Sequence, residues 1–168
     1  MRTNLAILAI AFTTTAMASS VQAQTANPVR PYVGIVGGSE SYDHDGPHGD
    51  LVGVIAGVDQ DIGESAVFIG VEGNAMKGFG DVDAEYGVAG TIGTRAYVGG
   101  AWKLFAKAGV QRVDFDRSGG ETRFLTGVGA DYAPFSHRPG LAFRFGADTF
   151  EFETTRLTAG MVLRFNSF

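Results

Sequence analysis

Seven stretches of the chain alternate between apolar residues and residues that are small or polar, with a period of two. They cover 51–59, 66–74, 88–98, 104–111, 123–132, 141–148 and 157–165. Successive side chains on a strand point to opposite faces, so each stretch predicts a strand with two unlike faces. In 141–148, Leu141, Phe143, Phe145 and Ala147 share one face, and Ala142, Arg144, Gly146 and Asp148 share the other. In 51–59 the corresponding sets are Val52, Val54, Ala56 and Val58 against Leu51, Gly53, Ile55, Gly57 and Asp59. Tyr32 to Ser39 predicts an eighth strand, whose facing stays open because both of its sets hold apolar residues. Helical spacing does not describe these segments, and their glycine load disfavours helix.

In each of the seven, one set carries no charge and the other collects glycine and charge. A soluble barrel would turn the glycine set toward water, where glycine covers a sheet poorly and weakens it. A lumen narrowed by eight strands has little room, and glycine alternating with a few large side chains fits it. The charges agree. Glu72, Arg95, Lys107, Asp131, Arg144, Asp148 and Arg164 all fall on the glycine face. They mix both signs and suit a closed ion-pair network. One arginine on a lipid-facing surface near mid-bilayer would cost roughly 2–4 kcal/mol. The expectation is therefore an all-β, eight-stranded antiparallel up-and-down transmembrane β-barrel. Its apolar set faces lipid, and its charge network serves structure. Hydrocarbon leaves no backbone amide unpaired, so the barrel must close, and bacterial barrels of this kind have even strand counts from eight upward.

The N-terminus is different. Arg2 precedes Leu5 to Phe12 (LAILAIAF), and Val21-Gln22-Ala23 supplies a small-x-small cleavage site. This reads as a signal peptide over 1–23, cleaved after Ala23, with the barrel domain over 24–168. The apolar run is too short for a membrane anchor, which needs roughly 20 residues. Composition adds exclusions. Of 168 residues, 25 are glycine and 18% are charged, the net charge is −5, and there is no cysteine. Nucleic-acid binding lacks its electrostatic driving force. A disulfide framework and a cysteine nucleophile are absent.

The connections sort into two sides. Glu40–Asp50, Ala75–Glu85, Asp114–Glu121 and Phe150–Arg156 are polar and acid-rich. With the N-terminus in the periplasm these face outward, and 60–65, 99–103 and 133–140 face the cell envelope. Tyr86, Tyr97, Trp102, Tyr132 and Phe150 fall near strand ends, as an aromatic girdle requires. Asp43, His44, Asp45, His48 and Asp50 crowd one loop but lack the ligand order of a calcium loop, so a solvated loop is expected and no metal site. Acidic loops of this kind can also meet lipopolysaccharide phosphates through bridging cations. Ser136-His137 has no identifiable orienting carboxylate, and no catalytic residue or cofactor site is assigned.

Leu157-x-Ala159-x-Met161-x-Leu163-x-Phe165 resembles the C-terminal strand of outer-membrane proteins, which ends in an aromatic. Residues 53–74 resemble the second hairpin of opacity-type surface antigens, and Lys103 to Val110 resembles their fifth strand. The resemblance, to the outer membrane protein β-barrel domain family, covers most of residues 31–165. It implies a surface-exposed protein of the cell outer membrane, not an enzyme, with a structural, adhesive or antigenic role. It implies contact with outer-membrane lipid and lipopolysaccharide, a host or surface ligand at the loops, and a barrel-assembly machinery that reads Phe165 or Phe168. The alternative is a narrow channel for ions or small solutes. The exported protein is expected to begin at Gln24, which an intact-mass measurement checks.

Overall fold

The computed structural model describes residues 29–42, 48–80, 82, 85–115, 119–134 and 140–165. Residues 1–28, which hold the expected cleavage site after Ala23, lie outside them. Eight strands follow in chain order: β1 (Arg30–Tyr42), β2 (His48–Asp61), β3 (Val67–Gly78), β4 (Glu85–Val98), β5 (Trp102–Phe115), β6 (Gly119–Tyr132), β7 (Leu141–Phe150) and β8 (Thr154–Arg164). Each pairs antiparallel with its sequence neighbours, and β8 pairs with β1, so the barrel is closed. The Phe165 amide donates to the Pro31 carbonyl at 2.9 Å and extends that closing seam by one bond.

The alternation sorts the side chains as its period demands. Ile35, Val128 and Leu157 point outward and are 55%, 58% and 54% exposed, whereas Val113 and Val162 point into the lumen and are fully buried. The exposed belt is apolar on all sides, and a soluble barrel would bury these residues. A belt of this kind is at home in hydrocarbon, where charged side chains are costly. β1, whose facing its sequence left open, turns Tyr32, Val36 and Glu40 inward and Val33 and Ile35 outward.

The paired residues Leu141, Leu163, Val33, Ala56, Gly73, Val88, Arg112 and Thr122 lie on one row across eight strands. The row begins at the first residue of β7, beside the termini, and reaches the opposite end of the barrel at the start of β6. The strands are therefore steeply tilted, as closure of a small barrel requires. We name the two ends by what they carry: the terminal end holds the start of β1 and the end of β8, and the other is the loop end.

Two expectations change here. The strands run from 10 residues in β7 to 14 in β2, β4, β5 and β6. About 9–11 suffice to span a bilayer, so most strands outrun the belt. The loop-end connections shrink accordingly to 43–47, 79–84, 116–118 and Glu151–Glu153. Glu40, Glu85 and Arg156, placed in loops by their polarity, are strand residues facing the lumen. Phe150, placed in the outer girdle, is likewise buried in the lumen. The exposed aromatic of that hairpin is Phe152, whose ring lies 6.1 Å from that of Phe124. At the terminal end Trp102 and Tyr132 point outward with ring centroids 4.6 Å apart. Tyr97 sits on the lumen-side set at the rim and accepts a hydrogen bond from Arg30.

The β7–β8 turn also carries strain. Glu151 and Phe152 both have positive φ, 53° and 62°. Left-handed backbone costs a side-chain-bearing residue roughly 1–2 kcal/mol. The β4–β5 turn meets the same requirement without that cost, because Gly99 and Gly100 occupy it. The Glu151 amide donates to the Phe124 carbonyl at 3.0 Å, which ties the strained tip to β6.

Lumen glycines make room for rings. A Cβ on Gly93 would lie 2.7 Å from the Phe68 ring, and one on Gly57 would lie 2.7 Å from the Tyr32 hydroxyl. Gly129 faces Phe105 in the same way. Gly93→Ala is expected to destabilise the barrel by about 1–3 kcal/mol through overpacking. Gly90→Ala, whose Cβ would face outward into open space, should be neutral or mildly stabilising. Urea unfolding in detergent, followed by Trp102 fluorescence, compares the two.

Candidate functional site: the lumen

The inward charges form three clusters along the lumen. At the terminal end Arg95 of β4 pairs with Asp59 at 2.9 Å and Asp61 at 3.0 Å, both on β2, and Arg30 of β1 pairs with Asp61. The Arg95 guanidinium lies 4.3 Å above the Phe68 ring, the same ring that Gly93 admits.

The central cluster is the largest. Asp131 of β6 accepts from Lys103 at 2.8 Å, from Arg144 Nε at 2.9 Å and from Arg164. Arg144 Nη1 also reaches Glu72 at 3.3 Å. Lys107 sits 3.1 Å from Asp148 and 4.0 Å from Glu72. The Tyr32 hydroxyl donates to Glu72 at 2.6 Å. The cluster joins β1, β3, β5, β6, β7 and β8.

At the loop end Arg156 Nε donates to Glu40 at 2.6 Å, and its Nη1 lies 2.7 Å from Glu85. Arg123 Nη2 donates to the other Glu85 oxygen at 3.0 Å, and Asn74 Nδ2 donates to Glu85 at 2.7 Å. Both guanidiniums stack on Phe150, at 3.9 Å for Arg123 and 4.8 Å for Arg156. Glu40, Glu85, Arg123 and Arg156 are all buried. This ring of charge stops the loop end.

Of the seven charges the sequence singled out, Glu72, Lys107, Asp131, Arg144, Asp148 and Arg164 meet in the central cluster, and Arg95 belongs to the terminal one. Arg30, Asp59, Asp61, Lys103, Glu40, Glu85, Arg123 and Arg156 complete the set. Their signal was parity: each lies an even number of residues from an inward residue of its own strand. Among the described residues no group of three or more metal-ligating side chains converges. His48 and Asp50 are exposed on β2, whereas Asp43, His44, Asp45, Ser136, His137 and Phe168 lie outside the described residues. Phe165 is exposed on the apolar face.

Two cavities interrupt the packing, about 50 Å³ toward the loop end and about 40 Å³ toward the terminal end. Glu72, Phe105, Lys107 and Arg144 border both and form the partition between them. Each has room for a few waters and no more, since one water needs roughly 10–15 Å³. Among the described residues the lumen is a polar core of ion pairs and rings, with these two small cavities between them.

Three solved structures are similar to the chain over 84% of its length. One is a de novo designed transmembrane β-barrel, 17% identical with a TM-score of 0.57, of which 98% is covered. The N-terminal β-barrel domain of Pseudomonas aeruginosa OprF is 14% identical with a TM-score of 0.57, and Neisserial surface protein A is 15% identical with a TM-score of 0.56; both are covered in full, at 100%. The fold is that of the small eight-stranded outer-membrane barrels. At these identities the likeness is one of fold. No protein-family model matches the chain, and no curated protein matches it.

Within this barrel the pairs differ sharply in worth. Arg144→Ala would leave Asp131 and Glu72 short of a buried partner and is expected to cost about 3–5 kcal/mol. Arg112→Ala removes an exposed outward pair, 3.9 Å from Asp114, and should change stability by less than about 1 kcal/mol. Denaturant midpoints of the two variants against the parent check this.

Proposed function

We propose that the protein is a structural, integral barrel of the cell outer membrane. It is exported by removal of residues 1–23, and residues 24–168 form the barrel domain. The observation that carries this reading is an ion-paired lumen beneath a continuous apolar belt. Its belt is bathed by outer-membrane lipid, with lipopolysaccharide at the loop end. Phe165, exposed at the close of the last strand, or Phe168 serves the barrel-assembly machinery. The hairpin tips at the loop end form the surface through which a host or surface ligand would be met. Short connections such as Glu151–Glu153 favour a compact surface over long adhesive arms.

A narrow channel is the rival reading. The buried loop-end ring and the partition at Glu72, Phe105, Lys107 and Arg144 oppose it, because each must open before a solute passes. The protein should fractionate with the outer membrane and resist SDS until boiled, then shift its gel mobility. In planar bilayers it should give no stable discrete currents. Recovery as a soluble periplasmic protein would overturn the membrane reading, and steady unitary conductance would overturn the structural reading in favour of the channel.

A further inference from the structure

The lumen charges can be balanced cluster by cluster among the described residues. The terminal cluster sets Arg30 and Arg95 against Asp59 and Asp61. The loop-end ring sets Arg123 and Arg156 against Glu40 and Glu85, with Glu121 exposed at its edge. Both balance. The central cluster does not: the ion pairs of Lys103, Lys107, Arg144 and Arg164 are made with Glu72, Asp131 and Asp148, four cations with three carboxylates. One positive charge is in excess, inside a sheet surrounded by hydrocarbon. An uncompensated charge in such a medium is strongly disfavoured.

The cavity of about 40 Å³ lies where the central and terminal clusters meet. Its charged lining is Asp59, Glu72, Arg95, Lys103, Lys107 and Arg144, four cations against two carboxylates. Both carboxylates are already engaged: Asp59 by Arg95 Nη1, and Glu72 by the Tyr32 hydroxyl and Arg144. The Arg95 side chain is 3% exposed, and its Nη2 is buried without an acceptor. Buried donors in native proteins almost always have a partner, so this one points to something missing from the protein's own groups.

We propose that this chamber binds one small monovalent anion of chloride's size, with Arg95 Nη2 among its donors. The ion cancels the central excess and satisfies the orphan donor at once. A divalent anion would overcompensate a single excess charge. The volume suits a water-sized occupant with little to spare.

The test uses the full chain folded in detergent, with urea midpoints measured in sodium chloride and in sodium gluconate at equal ionic strength. Chloride should raise the midpoint in a saturable way, as a ligand of the native state does. Lys103→Met removes the excess cation, so its midpoint should be the same in both salts. Should that variant not fold, Arg164→Gln removes a cation of the same cluster from outside the chamber, and the same loss is expected. Crystals soaked in bromide should show an anomalous peak within hydrogen-bond reach of Arg95 Nη2. Equal midpoints for the parent in both salts would overturn the proposal. Bromide at surface positions alone, an adventitious ion only, would also overturn it. SDS resistance and heat-modifiable mobility do not depend on the ion, so failure here leaves the barrel reading standing.

Discussion

Hydrocarbon offers a backbone amide nothing to bond to, and this single deficit organises the molecule. It forces the last strand onto the first, along the seam from Tyr32–Arg164 to Tyr42–Thr154. Closure with eight strands fixes a narrow interior. A narrow interior makes room for several of its bulky rings where the facing strand carries no side chain, as Gly93 and Gly129 do opposite Phe68 and Phe105. The glycine content is thus a consequence of closure rather than a preference of strands, which glycine weakens.

The same constraint inverts the usual order of core and surface. Apolar residues need no partner outside, so the groups that demand one across the belt are gathered within, while charged residues such as Arg112 and Asp114 face outward near the loop end. Aromatic rings mediate between the ions there. Phe150 lies beneath two guanidiniums and Phe68 beneath a third. A flat ring face carries the negative end of its quadrupole, so it serves a cation without adding another ionisable group. Buried pairs of this kind contribute less to net stability than to the choice of one arrangement over its neighbours. A slip of one residue would turn every member of a strand's set to the wrong side.

How much of this was legible beforehand depended on which physical rule governed each residue. Strand number, closure and the facing of every strand but β1 were readable, because a period of two survives any error in the ends. The ends themselves were not. Glu40, Glu85 and Arg156 are charged residues beside turn-like segments, and local polarity reads them as loop. Only their parity with Val36, Ala89 and Thr158 marks them as inward. Phe150 failed for the converse reason: an aromatic near a strand end suits a girdle, yet its parity with Asp148 sends it inside. The division into three clusters was hidden as well. Facing can be taken from one strand, but partners depend on how far each strand is staggered against the next, and only the paired register supplies that.

The longest reach among these contacts is the bond from Arg156 to Glu40, 116 positions apart in the chain. Glu40 arrives on the first strand and its guanidinium on the last. A sheet that has laid down seven strands therefore holds a carboxylate whose counterpart has not yet been delivered. Half-finished intermediates are penalised electrostatically as well as by their open edge. The strand that closes the barrel is thus also the one that neutralises Glu40.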